Sequence, residues 1–259
     1  MVLAAPPSAP IPGGVVSIPL KTPAKAIYFL GHRGIVVEER ADLYAMLPIP
    51  LGTPAGRYGV KIEGRNGTVA LRSVDVHPHD YPLQRIRLPS DRYVTPDAET
   101  LSRIRKEAIR KHKDKTFRSD HAPDWHLAWP VQGIVTSPFG LRRSFNGRPR
   151  SPHRGIDIAA HEGTPVYAAS DGRVVDAGNF FFSGNLVFVE HGSGMITLYA
   201  HLQDIVVPVG TKIRKGELIG HVGHTGRATA SHLHFGVSID NVYVNPTLFL
   251  PKRTVDRSR

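Results

Sequence analysis

Ser231-His232-Leu233-His234-Phe235-Gly236-Val237 decides how the C-terminal half of this chain folds. Leu233 and Phe235 alternate with His232 and His234, the period-two pattern of a half-buried strand, so the apolar pair enters a core and both imidazoles share the opposite face. Two strand positions apart, their Cα atoms lie roughly 6.6 Å from each other. One ring can then hold a metal ion while the other touches its water, and the spacing leaves open which does which.

Upstream, His153-Arg154-Gly155-Ile156-Asp157 places a histidine and an aspartate four apart. A straight strand would separate them by roughly 13 Å, too far to share one ion. A helix would bring them together, but Gly155 flanked by the β-branched Ile156 and Ile158 argues against helix. What remains is a bend at Arg154-Gly155 that folds Asp157 back toward His153. A third segment, Leu198-Tyr199-Ala200-His201, ends an apolar strand on a histidine. Two histidines, a carboxylate and a water make a catalytic zinc site, whereas closed four-ligand sites are structural. No His-Glu-x-x-His arrangement supplies a glutamate base, so a histidine must move protons. His201 and the non-ligand member of the 232/234 pair can act as base and oxyanion stabiliser. Any one of the 14 histidines taken alone reads better as an ordinary core or surface residue. The combination of three such segments in one β-rich region does not. His191, His221 and His224 remain open, with His224 a candidate to line the cleft.

Composition narrows the chemistry. The absence of cysteine excludes disulfides, thiolate zinc sites and cysteine nucleophiles together, leaving His, Asp and Glu to hold any metal. With 33 Lys+Arg against 22 Asp+Glu, the net charge of +11 asks for an anionic partner, for which nucleic acid, anionic lipid and carboxylate-rich cell wall all qualify. No apolar run approaches the ~18 residues of a membrane span, and no transmembrane segment is expected. Met1-Val2-Leu3-Ala4-Ala5-Pro6-Pro7 lacks the basic and apolar regions of a secretory signal.

The length of 259 residues suits two domains. Residues 1–12, rich in Ala and Pro, read as a disordered segment. Over 13–90, short β-prone runs (15–20, 26–30, 35–38, 58–62 and 68–76) alternate with turn residues such as Gly31-His32-Arg33-Gly34 and Asn66-Gly67, which predicts a small β-sandwich. His77-Pro78-His79-Asp80 reads as a surface turn rather than a metal motif. Within a 91–125 linker, Thr95 as N-cap and Pro96 at the first position predict a helix over 96–113, with Leu101, Ile104 and Ala108 as a packed stripe. Arg103, Arg105, Lys106, Arg110, Lys111, Lys113 and Lys115 read as its solvated face. Without interleaved aromatics it is no nucleic-acid binder. From 126 to 250, short strands with glycine at the corners predict an antiparallel sandwich or flattened barrel, and 251–259 a tail.

Ser137-Pro138-Phe139-Gly140-Leu141-Arg142, His153-Arg154-Gly155-Ile156-Asp157, Leu198-Tyr199-Ala200-His201-Leu202, the 209–226 stretch VGTKIRKGELIGHVGHTG and Ser231-His232-Leu233-His234 together resemble the lysostaphin/LytM-type zinc metallo-endopeptidases over about residues 126–250. That resemblance implies one zinc ion bound by His153, Asp157 and His234, a catalytic pair of His201 and His232, and the barrel-sandwich hybrid fold called the duplicated hybrid motif. It also implies hydrolysis of amide bonds in peptidoglycan cross-links or stem peptides. Residues 13–90 and the helix resemble the N-terminal β-domain and linker of Gram-negative envelope members. Ala230-Ser231 stands where the family usually has Gly-Pro, which removes no ligand. Peptidoglycan lies outside the cytoplasmic membrane, so a periplasmic or envelope location is expected, with the signal trimmed near Ala4-Ala5. Arg142, Arg143, Arg148, Arg150 and Arg154 would crowd the approach of an anionic wall peptide. The rival reading is a non-enzymatic or latent wall-binding protein that activates other hydrolases, although degenerate relatives of that kind usually lack the metal ligands. A lipoyl-type carrier reading of the 209–220 hairpin leaves the histidines unexplained. A monomer is expected.

Overall fold

The computed structural model describes residues 7–39, 41–87, 93 and 95–252, and expectations for 1–6, 88–92 and 253–259 lie outside the described residues. In chain order the strands are β1 (Val15–Leu20), β2 (Ala24–Phe29), β3 (His32–Arg33), β4 (Ile35–Glu39), β5 (Asp42–Pro48), β6 (Gly56–Gly64), β7 (Val69–Val76) and β8 (Leu83–Ile86), followed by helix α1 (Ala98–Thr116). Then come β9 (Ile134–Ser137), β10 (Arg142–Phe145), β11 (Arg148–Arg150), β12 (Ile156–Ala159), β13 (Pro165–Tyr167), β14 (Gly172–Phe180), β15 (Gly184–Glu190), β16 (Met195–Ile205), β17 (Lys212–Ile213), β18 (Leu218–Val222), β19 (His232–Ile239) and β20 (Val242–Val244). The chain is mainly β, as expected. No helix among the described residues is long and apolar enough to cross a membrane.

Two antiparallel sheets form the N-terminal half, β1-β5-β4 and β3-β2-β6-β7. They close over a shared apolar cluster that includes Val16, Ile27, Phe29, Ala45, Leu47 and Val60. Residues of the same strands with opposite parity, Val15 and Met46, together with Ile35 and Val37 of β4, join the core of the C-terminal half instead. The β1-β5-β4 sheet is therefore buried on both faces. That explains β5, which the sequence reading passes over: Leu43-Tyr44-Ala45-Met46-Leu47 is a continuous apolar run without alternation, because neither face meets water. Residues 7–12, read as disordered, are tied down: Ala9 and His77 donate backbone N–H groups to Val15 and Pro10, and the Tyr81 hydroxyl donates to the Pro12 carbonyl at 2.7 Å.

Helix α1 departs from expectation in its start and its faces. Asp97, not Thr95, is the N-cap, its carboxylate accepting the Thr100 N–H at 2.8 Å. The predicted apolar stripe does not pack into a core: Ala108 is exposed, while Leu101 and Ile104 border a cleft in the C-terminal half. The helix is held by its charged residues. Arg110 pairs with Asp176, Glu107 accepts the Phe181 N–H at 2.9 Å, Lys111 donates to Ser183 Oγ at 2.7 Å, and the buried Lys115 reaches Asn241. Lys111 and Lys115, counted as solvated in the sequence reading, thus face inward, with their ammonium nitrogens 4.8 and 4.5 Å from the ring centroids of Phe180 and Tyr243.

The C-terminal half is one large antiparallel sheet ordered β17-β14-β15-β16-β19-β12-β9, with β18 pairing β13 and β16 and β20 pairing β19. Breaks in register along β14, β15 and β16 bend it over an apolar core containing Ile156, Ile158, Val187, Tyr199, Leu233 and Phe235. Strand β8, also unforeseen, leaves the N-terminal half to pair in parallel with β10, Leu83 opposite Arg142 and Ile86 opposite Phe145.

His191 is resolved as structural. Its Nδ1–H donates to the Asp171 carbonyl at 2.7 Å and its Nε2 lies 2.7 Å from Thr197 Oγ1, which in turn meets the Tyr199 hydroxyl. Burial pushes its pKa down to about 4, so between pH 6.5 and 4 the unfolded chain takes up a proton that the native one refuses. Stability therefore falls as pH drops through that window. Urea unfolding at pH 7 and pH 5 is expected to show a loss for wild type that exceeds the loss for His191→Gln by about 2 kcal/mol.

Candidate metal centre and its cleft

The pairing of β12 with β19 sets Asp157 directly opposite His234 and Ala159 opposite His232. Directly opposed residues hold their Cβ atoms about 5 Å apart. With Leu233 and Phe235 locked in the core, both imidazoles project to the other face. On the far side of β19, Ala200 opposes His234 and delivers β16 to the same place. His153 arrives from the irregular segment before β12, anchored by its own N–H to the Leu141 carbonyl and by its carbonyl to the Gly140 N–H. The chain bends at Gly155, as the spacing required. A Cβ there would sit 2.4 Å from the Phe235 carbonyl oxygen and 2.8 Å from the His234 ring, so only glycine lets this segment cross over His234.

Three atoms converge: His153 Nε2 is 2.9 Å from Asp157 Oδ1 and 3.0 Å from His234 Nδ1, and His234 Nδ1 is 2.8 Å from Asp157 Oδ1. These residues form a group able to hold a metal ion. The donor chemistry fits. His153 Nδ1–H donates to the Pro138 carbonyl at 2.9 Å, which leaves Nε2 with a lone pair aimed at a carboxylate oxygen, a contact that needs a positive charge between the two. A tetrahedral ion with bonds of ~2.0 Å separates its ligands by ~3.3 Å, a few tenths more than seen here. Burial alone pushes the Asp157 carboxyl up, but its contacts with His153 and His234 outweigh it and hold it well below the usual carboxylate range. Burial lowers His234 to about 4. The outer oxygen of Asp157 accepts from Arg143 at 2.8 Å, and Arg143 also reaches Gln84 of β8. This arginine was noted in the sequence only as one of a crowd; its contact with Asp157 depends on β10 turning back beside β12.

His201 and His232 stand next to this group, their ring centroids 4.8 Å apart and His201 6.1 Å from His234. Each ring is fixed by a backbone carbonyl, His201 Nδ1–H on Thr225 and His232 Nδ1–H on Ala230, both at 2.7 Å. Nε2 is left as the basic nitrogen in both, and His232 Nε2 lies 3.9 Å from Asp157 Oδ1. His201 takes a left-handed backbone conformation, φ 64°, where one extra residue of β16 bulges between Tyr199 and Leu202 against β15. That conformation costs a non-glycine residue about 1–2 kcal/mol, and the bulge re-aims the ring toward β19. Burial lowers His201 to about 3, with His232 and His234 adding to the effect. Because Ala230 contributes only its carbonyl, the Ala-Ser departure from Gly-Pro leaves this contact intact.

All five predicted residues line one cleft of about 680 Å³. His224 does not join them: it is exposed and pairs with Glu162, and His221 pairs with Asp204. Of the arginines expected at the approach, Arg143, Arg150 and Arg154 line the cleft, whereas Arg142 donates to the Tyr81 carbonyl and Arg148 to Thr95.

Residues 151–246 match Peptidase family M23. The chain is 38% identical over 132 residues to the peptidoglycan DD-endopeptidase ShyC of Vibrio cholerae, a match covering 47% of this chain and 30% of that protein. It is 44% identical over 112 residues to the DD-carboxypeptidase/endopeptidase Mpg of Neisseria meningitidis, covering 43% and 26% respectively. The matched stretches thus span less than a third of either relative. A solved Pseudomonas aeruginosa structure described as an M23 peptidase superposes with a TM-score of 0.78 at 32% identity, covering 93% of this chain and 95% of that one, the N-terminal sheets included. The chain belongs to peptidase family M23.

Proposed function

We propose that this protein is a zinc-dependent endopeptidase that cleaves amide bonds in the cross-links or stem peptides of peptidoglycan, acting in the cell envelope. The observation that carries this reading is the buried convergence of His153, Asp157 and His234 beside two histidines whose tautomers are fixed by backbone carbonyls. The kinship with ShyC, named a peptidoglycan DD-endopeptidase, supports the substrate class.

In this reading His153 Nε2, Asp157 Oδ1 and His234 Nδ1 hold zinc, which when bound supplies Lewis acidity toward the scissile carbonyl and a water acidified toward neutral pH. One of His201 and His232 offers a free Nε2 that takes the proton of the attacking water and delivers it to the leaving amine. The other enters the cycle with a proton from solvent already on Nε2, donates it as a hydrogen bond to the oxygen on which negative charge builds, and keeps it at the end of the cycle. Arg143 neutralises the outer oxygen of Asp157 and keeps its inner oxygen aimed at the centre. Leu186, Leu198 and Ala200 on the cleft wall limit water beyond the reacting one.

Mass spectrometry of peptidoglycan incubated with the full chain should show cross-linked dimers disappearing and new amine ends appearing, with a chelator stopping and added zinc restoring the reaction. Unchanged dimers with zinc-loaded protein, alongside stimulation of a separate hydrolase, would move the assignment to the activator class. His234→Ala is expected to lose both bound zinc and turnover. His201→Ala should keep stoichiometric zinc yet lose roughly 10²–10⁴-fold in kcat/KM, and a fully active variant with zinc intact would remove His201 from the mechanism. Arg143→Gln is expected to weaken zinc binding about 10–100-fold in competition with a chromophoric chelator.

A further inference from the structure

The cleft holds more positive charge than its own carboxylate balances. Among the described residues its only acid is Asp157, which is engaged by His153, His234 and Arg143, while Lys111 of α1, Arg154 and Arg227 also line it. Arg227 lies against two aromatic rings, its Cζ 4.6 Å from the ring centroid of Phe145 on β10 and 4.6 Å from that of Phe182 after β14. Its backbone N–H is fixed to the Phe182 carbonyl at 2.9 Å. Contact with two rings restrains the guanidinium and leaves its N–H donors for a partner. No carboxylate among the described residues pairs with Arg227, Lys111 or Arg154.

Burial works against two of these charges, Arg227 and Lys111. It pushes Arg227 down to about 10, with Arg143 and Arg150 adding to the effect, and Lys111 down to about 8, where Glu107 opposes the shift and Arg227 and Arg154 add to it. Two desolvated cations, one from a helix and one from a loop, with no carboxylate in salt-bridge contact, are held at a cost that an incoming anion relieves. A planar guanidinium restrained by two rings fits a carboxylate with two parallel hydrogen bonds, better than it fits a neutral amide.

We propose that Arg227 is a specificity-determining residue that binds a free carboxylate of the substrate peptide, separate from the amide to be cleaved, with Lys111 and Arg154 deepening the positive field around it. The inference rests on the endopeptidase reading of the cleft and narrows its substrates to peptides that keep a free carboxylate near the cross-link, rather than those in which it is amidated.

Two synthetic cross-linked dimers that differ only in carrying that group as carboxylate or carboxamide test the proposal on zinc-loaded full-length protein. Wild type is expected to show kcat/KM at least about tenfold higher for the carboxylate form, and Arg227→Gln to bring the ratio near one. Bound zinc and thermal midpoint should stay at wild-type values, and Arg227→Lys should keep an intermediate ratio because it retains charge without the planar edge. A wild-type ratio near one, or a ratio that Arg227→Gln leaves unchanged, overturns the proposal. If wild type cleaves neither dimer, the endopeptidase reading fails separately, and titration calorimetry of the two uncleaved dimers decides the anion site. Tighter binding of the carboxylate form that disappears in Arg227→Gln upholds it, and equal binding rejects it.

Discussion

The direct opposition of Asp157 and His234 across the β12–β19 ladder is the constraint on which the rest of the site depends. A strand that slips by one residue exchanges its two faces, so a shift here would send His232 and His234 into the core and bring Leu233 and Phe235 out. The packing of those two apolar side chains therefore holds His234 opposite Asp157 as surely as any hydrogen bond at the site. The same register brings Ala200 opposite His234, and so lets the bulge of β16 set His201 beside His232. Core and chemistry share one ladder, and Gly155 is the opening through which His153 can reach it.

Around the ladder, the orientation of the rings is set by groups that carry no side-chain signature. Pro138, Thr225 and Ala230 each offer a carbonyl to one imidazole, Pro138 from the turn between β9 and β10 and the other two from the loop between β18 and β19. The three rings so fixed keep their Nε2 atoms for the cleft, while the burial that makes protonation of His201 and His234 unfavourable also keeps them in the basic form. Arg143 supplies the opposing charge that makes a buried carboxylate tolerable.

What the sequence disclosed of this arrangement follows from which interactions are local. The alternation in His232-Leu233-His234-Phe235 and the forced bend at Gly155 are short-range facts, and both appear in the structure as read. Strand β5 escaped because burial on both faces erases alternation, and β8 because its partner β10 lies some sixty residues away. The helix was read from its N-terminal cap signals and expected to pack by an apolar stripe, yet Glu107, Arg110, Lys111 and Lys115 hold it, since the surface it meets offers Asp176, Ser183, Asn241 and a backbone N–H. Arg227 gave no signal at all. It gains its character from Phe145 and Phe182, two rings that only folding brings against it.

The β1-β5-β4 sheet, with Ala45 and Leu47 turned one way and Met46 the other, is a wall common to two apolar cores. A wall of that kind links the fates of the rooms on either side. Opening the N-terminal half would uncover Val15, Ile35, Val37 and Met46 together with the C-terminal residues they cover, so neither half can melt while the other stays fully native. The chain is thus built to lose its structure in one cooperative step, and a C-terminal fragment freed of its N-terminal sheets would carry a raw apolar face that must find another cover or aggregate.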